Sequence, residues 1–299
     1  MPRALQALLP AKRDQVYENC LNLIVCFARM VWNPSHLQGI EYTGIDRNLD
    51  QCADSEAGRM GFVHFGKSLR GMTAKEPVPA REVILPTLGL SAILRIPGDA
   101  KALIVLVHAS GTSGANPRHR AVAQSFNHSS FATLRLDLVS GAESDDHQVR
   151  GNVTALAERL CGAVEWIGSE RQLRDLPLGF FAGNSGAAAA FAVASRLSGR
   201  LGAIVSRGGR PDLAGDSLEN VNVPSLLIVG GQDAPVIATN EQALARLKGT
   251  KEMEIIAGAS HFFTEPGALT AVAKRATQWF DLHLMKSTAG KPELAHCGD

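Results

Sequence analysis

One stretch constrains the fold of this chain more than any other: Leu178-Gly179-Phe180-Phe181-Ala182-Gly183-Asn184-Ser185-Gly186-Ala187-Ala188-Ala189-Ala190-Phe191. An apolar run stops at a small-residue turn and resumes as an Ala-rich helix former. That is the layout of a nucleophile elbow, where a strand turns sharply into a helix and presents one side chain at the bend. Small residues are needed because strand and helix pass too close for a Cβ at several positions. Two registers fit. Ser185 can stand at the bend, with Gly183 and Ala187 two positions away on either side. Asn184 can stand there equally well, flanked by Ala182 and Gly186. The choice decides whether the bend carries a hydroxyl.

The text around this stretch reads as an α/β domain. Residues 82–85 and 88–96 are strand-like runs broken by Pro86 and ended by Pro97-Gly98, an antiparallel hairpin. Residues 102–107 form a continuous apolar run, as in a strand buried on both faces of a parallel sheet. A small-residue loop from His108 to Gly114 follows, and Pro117 starts a helix where its missing N–H costs nothing. Further strands are expected at 131–138, 178–182, 201–205, 223–229 and 253–257, and helices at 149–169, 185–197, 239–247 and 266–284. Residues 141–148 read as an acidic loop. Strands alternating with helices after an opening hairpin specify a mostly parallel central sheet with helices on both faces. The polar residues of interest all follow the C-terminal ends of strands, where open α/β sheets bind ligands.

The first 75 residues read differently, as a poorly structured or loosely attached extension. Apolar residues recur over 14–31, but beyond them no sustained period appears. Met60 and Met72 are possible alternative starts. The domain then runs over 76–287, with a frayed tail over 288–299. Thirty basic residues against twenty-nine acidic give a net charge of +1, so no field of one sign argues for nucleic acid or an anionic membrane. No apolar run reaches transmembrane length. The five cysteines, Cys20, Cys26, Cys52, Cys161 and Cys297, are scattered without a CxxC, which argues against a disulfide framework or structural zinc and for the cytoplasm. HxH and HExxH spacings are absent, so no metal site is expected.

Three loops hold the parts of an acyl-transfer site. The elbow supplies a nucleophile, Asp233 orients an imidazole, and His261 acts as general base and then general acid. The chain order nucleophile, acid, histidine is that of α/β-hydrolases. One oxyanion donor would be the N–H of Gly186, after the nucleophile, and the other would come from Ala109 or Ser110. Each residue has a plainer role to weigh against this one. His261 could be a surface histidine, and Asp233 a helix N-cap or turn former. His108 reads better as a brace for the oxyanion loop than as a ligand. Arg207 and Arg210 could hold an anionic group of a substrate or form structural pairs, and Arg118 and Arg120 share that ambiguity.

The longer motifs bring a family into view. They include Val107-His108-Ala109-Ser110-Gly111, Pro117-Arg118-His119-Arg120-Ala121-Val122-Ala123 and Leu134-Arg135-Leu136-Asp137-Leu138. They continue with Ser206-Arg207-Gly208-Gly209-Arg210-Pro211-Asp212, Leu227-Ile228-Val229-Gly230-Gly231-Gln232-Asp233 and Gly258-Ala259-Ser260-His261-Phe262-Phe263. Over residues 83–284 the chain resembles the dienelactone hydrolase-related branch of the α/β-hydrolases, in particular the small hydrolases found beside or fused to phosphoribosyltransferases. The resemblance implies a Ser or Cys nucleophile with Asp and His, no cofactor, and small carboxylic esters or lactones as substrates. Asp233 and His261 fall on the family's acid and base. Aligned without a gap, the family's serine falls on Asn184 and its following threonine on Ser185. Two expectations follow: a serine hydrolase acting through Ser185, His261 and Asp233, or a member with Asn184 at the bend that binds a ligand or partner without acyl-enzyme turnover.

Overall fold

The computed structural model describes residues 78–285 apart from 87, 110–115 and 198. The chain divides after Ala74, and the described residues all belong to the second unit, Lys75–Asp299. The expected extension, the 14–31 helix, the 288–299 tail, Ser110 and the glycine loop after it lie outside the described residues.

Eight strands form one sheet in the order β1-β2-β4-β3-β5-β6-β7-β8. Strands β1 (Arg81–Leu85) and β2 (Leu90–Arg95) form the expected hairpin, and β2 is also antiparallel to β4 (Phe131–Asp137). From there β3 (Ala102–His108), β5 (Leu178–Gly183), β6 (Leu201–Gly209), β7 (Ser225–Gly230) and β8 (Lys251–Ile256) all run parallel. The helices are α1 (Pro117–His128), the short α2 (His147–Gly151), α3 (Val153–Ser169), α4 (Asn184–Ala194), α5 (Ala234–Arg246) and α6 (Ala268–Leu284).

The strand periodicity sorts the core into two layers. On β3, Leu103, Val105 and Val107 join the cluster covered by α3 and α4, while Ala102, Ile104 and Leu106 join the cluster covered by α1 and α6. Successive side chains of a strand point to opposite faces, so one uninterrupted apolar run feeds both layers. The mostly parallel sheet with helices on both faces is therefore the architecture the sequence called for.

Several local details differ from the sequence reading. The 141–148 segment holds a 3-10 turn over Gly141–Glu143 and then α2. Asn152 separates α2 from α3, its side chain accepting from the N–H of Ala155 as an N-cap. A 3-10 segment over Pro211–Asn220, kinked at Gly215, follows β6. Cys161 on α3 is disulfide-bonded, so the scatter of cysteines does not exclude every bridge. No helix among the described residues is long and apolar enough to cross a membrane.

Candidate active site

Strand β5 delivers the elbow. Asn184 is the first residue of α4 and has φ 49°, a left-handed conformation in which Asn is enriched among non-glycine residues. Its backbone is tied to the end of β6: it bridges to Gly209, and the N–H of Arg210 donates to its carbonyl at 3.0 Å. The bend is held on both sides by close backbone approach. A Cβ on Gly183 would lie 3.1 Å from the Arg207 carbonyl, and one on Gly186 would lie 3.0 Å from the Val107 carbonyl.

These contacts explain the register. With Ser185 at the bend, Asn184 would take the place of Gly183 and Ala187 that of Gly186. Both positions would then carry a Cβ 3.0–3.1 Å from a strand carbonyl, tighter than side chains ordinarily pack. The register that puts Ser185 in the nucleophile's place is thus not the one adopted, and Ser185 lies one residue into the helix.

Asp233 and His261 come from the loops after β7 and β8. Asp233 occupies the N-cap position of α5 but makes no capping bond. Its carboxylate faces His261 instead, with Oδ2 2.6 Å from Nδ1. A Cβ on Gly230 would meet the carbonyls of Ser260 and Ala259 at 2.5 and 2.6 Å, so glycine lets the two loops close on each other. His261 Nε2 lies 3.1 Å from Asn184 Oδ1. The carboxamide can accept from Nε2–H through Oδ1 or, turned over, donate Nδ2–H to the ring's lone pair. Among the described residues, the Ser185 hydroxyl makes no hydrogen bond to His261. The acid, histidine and bend residue are thus assembled, with an amide at the third position.

The helix start at Gly186 packs against Val107 and His108, which brings the end of β3 beside the bend. His108, at the end of β3, is 6% exposed and stacks on His119, with ring centroids 3.5 Å apart at 5°. The loop it was expected to brace lies outside the described residues. Burial pushes the His108 pKa well below its ordinary value, helped by His119 and two arginines. Burial also lowers that of His119, to about 4, with Arg207 and Arg118 adding to the shift and Asp137 opposing it.

A cavity of about 170 Å³ opens beside the bend. Asn184, Ala109, His108 and His119 line it, together with Arg118, Arg207 and Phe262. Arg210 is not at this cavity, because its guanidinium forms a double hydrogen bond to Asp212 and its charge is answered there. Arg120 is exposed on α1 and also stays away from the cavity. Sequence reasoning missed His119 and Phe262 as wall residues. The adjacency of Phe262 to His261 was the available signal for one, and nothing local marked the other. No group of three or more metal-binding side chains occurs among the described residues.

No family model matches the chain. Among solved structures, a dienelactone hydrolase from Anabaena variabilis is 40% identical, with a TM-score of 0.66 over 70% of this chain and 99% of that one. Est1E from Butyrivibrio proteoclasticus is 15% identical, with a TM-score of 0.56 over 71% of this chain and 99% of its own. It supports the fold alone. A Mycobacterium tuberculosis protein whose name, assigned by inference, is phosphoribosyl transferase is 38% identical over 247 residues, 80% of this chain. This chain spans about half that relative's length (55%).

Proposed function

The chain belongs to the dienelactone hydrolase-related branch of the α/β-hydrolases, and from that premise we propose that its site takes small carboxylic esters or lactones but has no serine acyl-enzyme route. One observation carries the reading: the His261 ring, held by Asp233, faces the carboxamide of Asn184 at 3.1 Å. An amide nitrogen shares its lone pair with the carbonyl and is a poor nucleophile, and its N–H protons are too weakly acidic for an imidazole to remove. The base is present, but its usual partner is absent. The small cavity fits a small ligand, and Arg207 in its wall suits an acidic group on that ligand. In this reading the N–H groups of Ala109 and Gly186 orient a carbonyl oxygen. Ser110 has the same role in the sequence reading. The phosphoribosyl transferase name belongs to a protein of nearly twice the matched length and is not carried over.

The intact Asp233–His261 pair favours a second reading, in which His261 draws a proton from water and hydrolysis proceeds in one slow displacement. A fluorophosphonate probe with peptide mapping separates both readings from serine catalysis. The proposal expects no adduct on the folded wild-type protein. Asn184→Ser restores a hydroxyl facing Nε2 and is expected to gain labelling at position 184. Ester turnover should rise at least about 100-fold, since loss of a nucleophile costs on the order of 10⁶ in rate. An adduct at Ser185 would defeat the proposal. Slow wild-type turnover that leaves the probe unreacted, and is lost in His261→Ala, would select the second reading.

A further inference from the structure

Among the described residues, neither arginine in the cavity wall has an acidic partner there. Arg207, on β6, lies over the ring of Phe263 at 5.4 Å, and Arg118, on α1, lies over the ring of Phe262 at 5.3 Å. Each guanidinium carbon sits over an aromatic ring, a cation–π contact that leaves N–H groups able to donate elsewhere. The two rings belong to the residues immediately after His261, and Phe263 has φ 54°. A bulky residue is rarely found in that conformation, so the backbone is strained where it presents the Phe263 ring.

Nitrogens of both arginines are buried. Arg207 Nη1, Arg118 Nε, His119 Nδ1 and His108 Nε2 are shielded from solvent and have no hydrogen-bond partner among the described residues. Buried polar groups are ordinarily satisfied, and four unsatisfied nitrogens around one cavity point to a missing acceptor. Among the described residues, no Asp or Glu lines the cavity. Asp137 acts on His119 from outside it. Burial and Arg118 together lower the Arg207 pKa to about 10, which still leaves it charged at neutral pH. With both imidazoles neutral, the wall carries two positive charges and several donors.

A carboxylate brings one charge and two acceptor oxygens. A phosphate monoester brings a charge of about −1.5 to −2 at neutral pH and three acceptor oxygens, which matches this wall more fully. We propose that the cavity beside Asn184 is a receptor for the phosphoryl group of a small phosphorylated molecule, gripped by Arg207 and Arg118 with His119 and His108 as neutral donors. The proposal rests on the reading of this cavity as the ligand site, but it does not depend on the chemistry at Asn184.

The test is a calorimetric titration of the full chain with inorganic phosphate at constant ionic strength, with acetate as the comparison and thermal melting as a parallel readout. Saturable phosphate binding is expected, with a raised melting temperature and no matching effect of acetate. Arg207→Gln and Arg118→Gln should each weaken phosphate binding at least tenfold. Arg118 is only partly buried on a helix, so its variant is the deciding one if Arg207→Gln does not fold. Absence of saturable phosphate binding to the wild type would overturn the proposal, and so would undiminished binding by folded Arg118→Gln. Acetate binding as tightly as phosphate would replace the phosphoryl assignment with a carboxylate. None of these outcomes bears on the fluorophosphonate result, so the two readings can fail separately.

Discussion

At the elbow, Gly183 and Gly186 stand where a Cβ would crowd the carbonyls of Arg207 and Val107. Sequence patterning allows either Asn184 or Ser185 at the bend, because both have small neighbours. The decision comes from Gly183 and Gly186, whose α-hydrogens face the carbonyls of Arg207 and Val107. Such contacts between segments distant in sequence leave no trace in a local pattern. Gly186→Ala tests the account directly. Its Cβ would sit 3.0 Å from the Val107 carbonyl, which is fixed in the sheet, so a loss of about 1–3 kcal/mol is expected in urea unfolding. Ser185→Ala, one position away on the same helix, should stay within about 0.5 kcal/mol. Equal stability of Gly186→Ala and wild type would reopen the register. Asp233 carries a similar lesson. A sequence reader weighs N-cap against catalytic acid, and the residue occupies the cap position while giving its carboxylate to His261.

At the level of elements, the strands and most helices were legible because their signals are local: apolar runs, Pro117 at a helix start, glycines at strand ends. The segment before α3 was not. Its acidic composition suggested a loop, yet the 3-10 turn is held by a partner sixteen positions away. Arg159 Nη1 donates to Glu143 Oε2 at 2.9 Å and to the Leu138 carbonyl at 2.7 Å, and Nη2 donates to Glu143 Oε1 at 2.7 Å. The Ser140 N–H and hydroxyl complete the set around Glu143 Oε2, at 3.0 and 2.9 Å. These hydrogen bonds, the one to Arg159 foremost, lower the Glu143 pKa from 4.5 to about 2. A carboxyl with a depressed folded-state pKa binds its proton more readily when unfolded. Its stabilisation is therefore complete above the unfolded pKa, near 4.5, and fades as the pH falls toward 2. Glu143→Gln should cost on the order of 1 kcal/mol at pH 7, discounted for partial exposure of the pair. That deficit should shrink steadily between pH 4.5 and pH 2. A deficit independent of pH across that range would show that the turn does not owe its stability to the carboxylate.

The sheet domain of residues 78–285 is a partition with the candidate site along one edge. The sheet separates two apolar layers, and the bend, Asp233 and His261 all leave it at the C-terminal ends of strands β5, β7 and β8. The site is thus assembled from three loops whose positions are set by the sheet and its two layers together. The layers should then contribute to stability as separate bodies of packing. Leu160 on α3 and Phe280 on α6 are both fully buried, and they belong to different clusters on opposite faces. Phe280 packs edge-on to Phe126 and Phe131 and covers Gly179 of β5, where a Cβ would come within 2.8 Å of its ring. Leu160→Ala should cost about 2–5 kcal/mol and Phe280→Ala about 3–5 kcal/mol, because neither site can collapse around the lost volume. Buried residues without shared partners add, so the double variant should equal the sum within about 0.5 kcal/mol by denaturant unfolding. A larger coupling would mean that the sheet transmits strain from one layer to the other. In that event, substitutions under either layer would be expected to move His261 relative to Asn184 as well as to lower stability.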